Sequence, residues 1–403
     1  MLVHEKPGTI STIAGNGEPA HAGDGGPAML ASLNEPKTVA VGDPDTLFIA
    51  DSENHVIRRI ALSTGIIRTV AGVPGVPAGV EAQEPPRGIS ASDLRDEDPL
   101  GDLEHEAQGK FAQLADISGT VRFVVGSIPG AGRFHGDGGL AAQAHLNFPS
   151  AIAVGPRGHL YIADTMNHRI RKVDVETGLI ETIAGTGQHR FSGDGGPAVS
   201  AALNEPTALA LDGRGRLYIA DQSNNRVRRV DLHSGLISTV AGNGEAAYTG
   251  DDVPASQAGL AGPSGLALGP DDTLYIADTF NGRIRGVDLT TGLISTVAGD
   301  GAEYRYQGDA DEQSTALARP YGIAVNRDGD IFITDSDNHL IRKWDRKKKV
   351  ILLVAGNGTA QFEGDGGQPQ ASSLNYPFGV AVDERGDIYV ADTFNHRIRK
   401  IVM

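Results

Sequence analysis

The chain repeats one word. "IADTMNHRIRKVDVETGLIETIAGTG", beginning at Ile162, returns with small changes along most of the sequence. The Asp closing the apolar run of this word falls at Asp164, Asp221, Asp278, Asp335 and Asp392, each 57 residues after the last, with an earlier copy at Asp51. The glycine closing "TVAG" is a second ruler, at Gly15, Gly72, Gly126, Gly185, Gly242, Gly299 and Gly356. A fixed period of this kind means a repeat architecture, in which each unit needs its neighbours to bury its faces. The 403 residues therefore count units of one domain, residues 1–403, and not separate folds.

One unit reads as four strands. In "TALALDGRGRLYIADQSNNRVRRVDLHSGLISTVAG" the runs Ala208 to Leu211, Leu217 to Ala220, Arg226 to Val230 and Leu236 to Ala241 are rich in β-formers, with Gly, Asp and Asn between them. The first two runs are apolar on both faces and the outer ones alternate, as expected of a radial blade whose inner strands are sandwiched by neighbours. The expected fold is an all-β propeller of four-stranded blades. The chain ends after a third strand and begins with an orphan fourth, so residues 9–15 are expected to pair with residues 397–401 and close the ring.

The glycine ruler has one mark more than the Asp ruler, and the step from Asp51 to Asp164 is about two periods. "FAQLADISGTVRFVVG" keeps the shape of a third and fourth strand, whereas residues 73–111 are acidic and rich in Pro and Gly. This favours seven units with the second degenerate; the alternative is six blades with an insertion at 73–111.

Composition excludes several classes. There is no cysteine, so neither disulfides nor a thiolate metal site is available. A formal charge of −16 repels phosphate backbones, and nucleic acid is not an expected partner. The amino terminus lacks the pattern of a secretory signal, and no run has the length of a membrane helix, which reads as a soluble chain of undetermined compartment and oligomeric state.

The words "ADTMNHRIRKVD", "ADTFNHRIRKI" and "DSDNHLIRKWD", preceded by "NxP" and an apolar strand and followed by "TVAGxG" and "GDGGPA", closely resemble NHL repeats. The resemblance covers nearly the whole chain apart from 73–111. It implies a propeller of the six-bladed, TolB-like group, which presses against the count of seven. It also implies a platform that binds proteins or sometimes RNA, a minority of the family being enzymes.

Repetition argues against catalysis at the conserved-looking positions, since a catalytic group is needed once. Asp51, Asp164, Asp221, Asp278, Asp335 and Asp392, with arginines such as Arg171, Arg228 and Arg399, are expected to be structural, Asp capping the turn between strands two and three and Arg bridging to a neighbouring blade. The "GDGG" loops suggest calcium, but each offers one carboxylate where calcium takes six to eight oxygens. A glycine turn is the simpler reading, and no cofactor or metal is expected. The innermost strands begin "KTVAV", "SAIAV", "TALAL", "SGLAL", "YGIAV" and "FGVAV", which reads as a small, apolar channel without metal ligands.

Function is sought where units depart from the pattern. One aromatic lies near each "GD" loop, and the loops at 188–191 and 303–307 add basic residues. The candidate contact set on this loop face is Tyr304, Arg305, Tyr306, His189, Arg190, Phe191, Tyr248, Phe362 and Arg133. The leading expectation is a non-enzymatic scaffold presenting this face to a protein or other ligand. The alternative is a hydrolase or lyase, lactonase-like or amidating-lyase-like, working at the channel mouth with a divalent metal.

Overall fold

Each unit forms four antiparallel strands because its turns are short and its second strand is apolar on both sides. In blade 1 the order is Pro36–Val41, Thr46–Asp51, Val56–Ala61 and Ile66–Ala71, from the axis outward. The second strand is buried along its whole length. Each fully buried Leu or Ile of this kind contributes roughly 1.5–3 kcal/mol, and only flanking blades can supply that burial. The computed structural model describes residues 6–74, 112–115, 121–124, 134–301, 310–311 and 315–403, with only the backbone of 112–115, 121–124 and 310–311.

Five further blades follow. Their inner strands are Pro149–Val154, Pro206–Leu211, Pro263–Leu268, Pro320–Val325 and Pro377–Val382, for blades 2 to 6. Each inner strand packs against the next, and that of blade 6 returns to that of blade 1, so six strands enclose the axis. Blade 6 takes its outermost strand from the other end of the chain: Thr9–Ala14 pairs antiparallel with Arg397–Val402, Ile10 opposite Ile401 and Thr12 opposite Arg399.

The ring has six blades, which corrects the count of seven in favour of the insertion. Blades 1 and 2 are joined directly. Ser52 Oγ donates to the Pro149 carbonyl at 2.6 Å, the Phe148 amide donates to His55 Nδ1 at 3.1 Å, and the Gly72 amide donates to the Ala141 carbonyl at 2.9 Å. No wedge remains between them for another blade. The strands Ala112–Ala115 and Val121–Val124 pair with each other and enter no blade sheet.

The glycine-rich loops protect the blade edges. Gly195 donates to the Ile237 carbonyl, and the Ile237 amide donates to the Gly196 carbonyl, so the loop entering blade 3 lies along its outermost strand as a fifth edge. The same loop binds blade 1 at Ile67, and in blade 4 it becomes the short strand Val253–Pro254. Unpaired strand edges invite association with other chains, and this cover removes them. The "TVAG" ruler has a steric cause: Gly185 has φ +95°, and a Cβ there would strike the His168 carbonyl. Among the described residues no helix is long and apolar enough to cross a membrane.

Candidate functional site

The turn after each second strand carries the repeated polar residues, and their places show what they can do. All six Asp (Asp51, Asp164, Asp221, Asp278, Asp335, Asp392) and all six Arg (Arg58, Arg171, Arg228, Arg285, Arg342, Arg399) have no exposed surface. In blade 3, Asp221 Oδ1 accepts the Asn204 amide at 2.7 Å, while Oδ2 accepts the Asn224 side chain at 2.8 Å and Arg228 at 3.3 Å. Burial pushes the Asp221 carboxyl up to about 6, against the hydrogen bonds and the Arg228 charge that pull it down. Its lone pairs are engaged within its own blade.

Two expectations about these residues change in detail. The Asp side chains do not cap the turns that follow them; they reach back 17 residues to the strand entry, as Asp51 Oδ1 does to the Asn34 amide. Where its partners are described, the repeated arginine does not bridge blades. It ties the turn to the loop entering the same blade, Arg228 meeting Asp194 at 2.7 Å and Arg399 meeting Asp365 at 2.8 Å. The same pairing joins Arg58 to Asp24 and Arg171 to Asp137, so the "GDGG" carboxylates serve as arginine partners.

Blades are joined by other residues. The hydroxyl after the Asp donates to the Pro carbonyl of the next inner strand: Thr165 to Pro206, Thr279 to Pro320, Ser336 to Pro377 and, across the ring closure, Thr393 to Pro36, each at 2.7–2.8 Å. Beside it, His Nδ1 accepts an amide of the next blade, His168 from Glu205, His339 from Tyr376 and His396 from Glu35. Asn225 Oδ1 performs this task toward Gly262 in blade 3. Accepting this bond requires a neutral ring, and burial lowers the His55 and His168 pKa values to about 4.

The candidate aromatics lie on the loops. Phe191 stacks on the guanidinium groups of Arg226 (3.9 Å) and Arg228 (4.7 Å); Tyr248 covers Arg283 and Arg285, and Phe362 covers Arg397 and Arg399. Each pins its loop down and leaves 37–39% of its surface exposed. His189 and Arg190 are exposed on the same loop, His189 with its ring 5.7 Å from that of His168. Arg133, Tyr304, Arg305 and Tyr306 lie outside the described residues, as does most of 73–111.

The channel mouth on this face is where the units differ. The first residue after each strand-opening proline is Lys37, Ser150, Thr207, Ser264, Tyr321 or Phe378. On one side, Tyr321 stacks on Phe378 with centroids 4.6 Å apart, Phe378 meets Phe394 edge-on at 5.9 Å, and Lys37 Nζ stands 4.5 Å from the Phe378 ring. On the other, small polar groups are tied together: the Ser150 and Thr165 hydroxyls at 2.6 Å, and the Gln222 amide donating to the Ser264 hydroxyl at 2.7 Å. The inner strands approach closely at Gly322, where a Cβ would strike the Phe378 carbonyl, and likewise at Gly265 and Gly379.

Charge surrounds this aromatic half. Lys37 pairs with Glu35 at 3.1 Å and Arg319 with Asp337 at 3.2 Å. Burial first, and then the Glu35 carboxylate, push the Glu53 carboxyl up to about 7; burial raises Asp337 to about 6 and Tyr321 to about 12. Phe280, on the turn of blade 4, is 65% exposed. Reading the inner strands as uniformly small and apolar missed this site. The signal was the first letter of each quoted word, the register at which six otherwise similar strands carry K, S, T, S, Y and F.

Six radial sheets around an axis, with a variable mouth on one face, define a six-bladed β-propeller. Family models match it at two NHL repeats, residues 317–344 and 374–401, and at a Teneurin NHL domain, residues 130–174. The chain is an NHL-repeat β-propeller. It is 33% identical over 273 residues to Protein SUPPRESSOR OF QUENCHING 1, chloroplastic, of Arabidopsis thaliana, a match covering 65% of this chain and 26% of that protein. With NHL repeat-containing protein 2 of Homo sapiens it shares 28% identity over 311 residues, 70% of this chain and 42% of that one. The chain thus spans less than half the length of these relatives. Among solved structures, an auxiliary nutrient binding protein from Bacteroides thetaiotaomicron superposes with a TM-score of 0.61 at 16% identity, covering 97% of this chain and 75% of that one, which shows the fold alone.

Proposed function

We propose that the protein is a binding scaffold whose channel mouth receives an exposed loop or chain end of a partner protein. The observation that carries this is the contrast within one face: the ties between blades repeat, while the mouth positions vary and gather Tyr321, Tyr376, Phe378 and Phe394 beside Lys37. Aromatic and cationic side chains of this kind dominate binding energy at protein interfaces. Variation at uniform scaffold sites would cost stability, so the mouth is where a repeat protein can specialise. The expected contact set on the outer loops, His189, Arg190, Phe191, Tyr248 and Phe362, forms its rim in this reading.

A photo-crosslinking residue at Phe280, compared with one at Val175 in a strand connection of the opposite face, tests it. An adduct with one defined protein at Phe280, abolished by Tyr321→Ala with Lys37→Glu and lacking at Val175, supports the proposal. Equal labelling at both positions would sink it. The enzyme reading has one observation in its favour: Glu53 beside Glu35 holds a proton near neutral pH, as a general acid must. Turnover of a lactone or peptide substrate that disappears in Glu53→Gln would favour it over the scaffold.

A further inference from the structure

Four blades of this chain contain the same filled socket. The first Arg of the "HRIR" word turns back over the second glycine of "AGxG" and donates to two backbone carbonyls. Arg169 bonds the carbonyls of Asn167 (3.0 Å) and Thr186 (2.8 Å), Arg226 those of Asn224 and Asn243, Arg283 those of Asn281 and Asp300, and Arg397 those of Asn395 and Asn16. The fit is close. A Cβ added to Gly187, Gly244, Gly301 or Gly17 would collide with the guanidinium above it.

Blade 5 reads "NHLIRK", and Leu340 stands where those four have Arg; blade 1 has Val56 there, but Pro74 replaces its second glycine. Leu340 is buried and turns toward Gly356, the first glycine, so it does not reach the guanidinium position. Over Gly358 the nearest atom to an added Cβ is the Asn338 carbonyl oxygen at 3.9 Å. A cleft of about 460 Å³ opens there, lined by Asp337, Asn338, Leu340, Gly356, Asn357 and Gly358 among others. The carbonyls of Asn338 and Asn357 correspond to the pair that binds arginine elsewhere, and neither receives a hydrogen bond among the described residues. Asp337, on the wall, has a buried carboxylate oxygen, Oδ1, that also lacks a hydrogen-bond partner.

We infer that the cleft of blade 5 is an arginine socket, which binds the guanidinium of an arginine side chain presented by a partner polypeptide. The blade has kept the acceptors and lost the internal donor. The four filled copies show the ligand geometry that the cleft accepts: a planar cation donating to two carbonyls above a glycine, which suits guanidinium and is poorly matched by a point-charge ammonium. Asp337 adds a charge-assisted bond that the filled copies lack. The net charge of −16 favours a basic partner at long range. The socket borders the mouth at Asp337, on the same loop face, and stands whether or not the mouth binds a ligand.

The test uses the full chain and capped arginine, N-acetyl-arginine methylamide, as the probe, followed by NMR. Saturable shifts around Gly356 and Gly358 are expected. The neutral isostere, capped citrulline, should bind at least about tenfold more weakly, as should the probe to Asp337→Asn. Leu340→Arg restores the sequence of the filled copies; it should fold, gain thermal stability and lose the probe, while crosslinking at Phe280 is unchanged. Lack of saturable binding by the wild type, equal binding of citrulline, or undiminished binding to both variants would overturn the socket. So would binding that emerges only in Arg305→Ala, since an arginine of the chain itself would then be the occupant.

Discussion

Asp335 and Asp337 are two residues apart on one turn, and they have little else in common. Asp335 recurs in every blade, has no exposed surface and has its oxygens occupied by Arg342, Asn338 and the Ala318 amide. Asp337 occupies the position that is Glu53, Met166, Ser223, Phe280 or Phe394 in the other blades. One position fastens a blade and the other faces whatever approaches the mouth. In a ring of repeats, a side chain that must meet the same neighbour in every unit becomes uniform, and one that points at the axis or at solvent is released from that demand.

This contrast predicts unequal costs. Arg228→Ala leaves Asp221 and Asp194 without their cation, one of them fully buried, and should lower stability by about 3–5 kcal/mol in denaturant unfolding. Arg319→Ala, at the mouth, leaves the partly buried Asp337 without its cation and should lower it by less, about 1–2 kcal/mol. Equal losses would erase the distinction between the two registers. Thr393→Val removes the hydroxyl tie to Pro36 across the ring closure and should cost about 1 kcal/mol. The same change at Thr165 should cost a similar amount, because the closure uses the same bolt as every other seam.

The histidine ties give a pH-dependent difference. His168 has a folded pKa of about 4 against an ordinary 6.5, so the unfolded chain binds the extra proton first. Its contribution is fully present above pH 6.5 and is lost as pH falls through 4. The buried Asp groups act in the opposite sense: raised to about 6, they favour the folded state below pH 3.8, an advantage lost as pH rises through 6. Measuring unfolding of wild type against His168→Asn cancels the Asp part. Because Asn225 already serves as this tie in blade 3, the variant should fold and lose stability less steeply than wild type between pH 6.5 and 4. The smallest effect is at the mouth, where Glu35→Gln should move the Glu53 titration, read by NMR, downward from about 7.

The strand pattern and the ring closure at Thr9–Ala14 were legible in sequence, because they follow from periodicity and local polarity. The blade count was not. The step from Asp51 to Asp164 holds almost two periods, and only the seam at Ser52 and Pro149 reveals that blade 2 follows blade 1 directly. The mouth was also missed. Lys37, Tyr321 and Phe378 are scattered over 342 positions and are single departures within apolar strands. The meaning of Leu340 needed the filled copies, since a Leu for Arg exchange in one repeat looks conservative in pattern until the cavity it leaves is visible.

By itself the sequence determined that four short strands would recur and that their two-sided apolar faces would require neighbours on both sides, since burial of that kind is written into each unit. How many units close the circle, which register points inward, and where an acceptor pair stands without its donor were decided by the tertiary structure. Those depend on the distance between residues dozens or hundreds of positions apart, which periodicity along a chain does not specify.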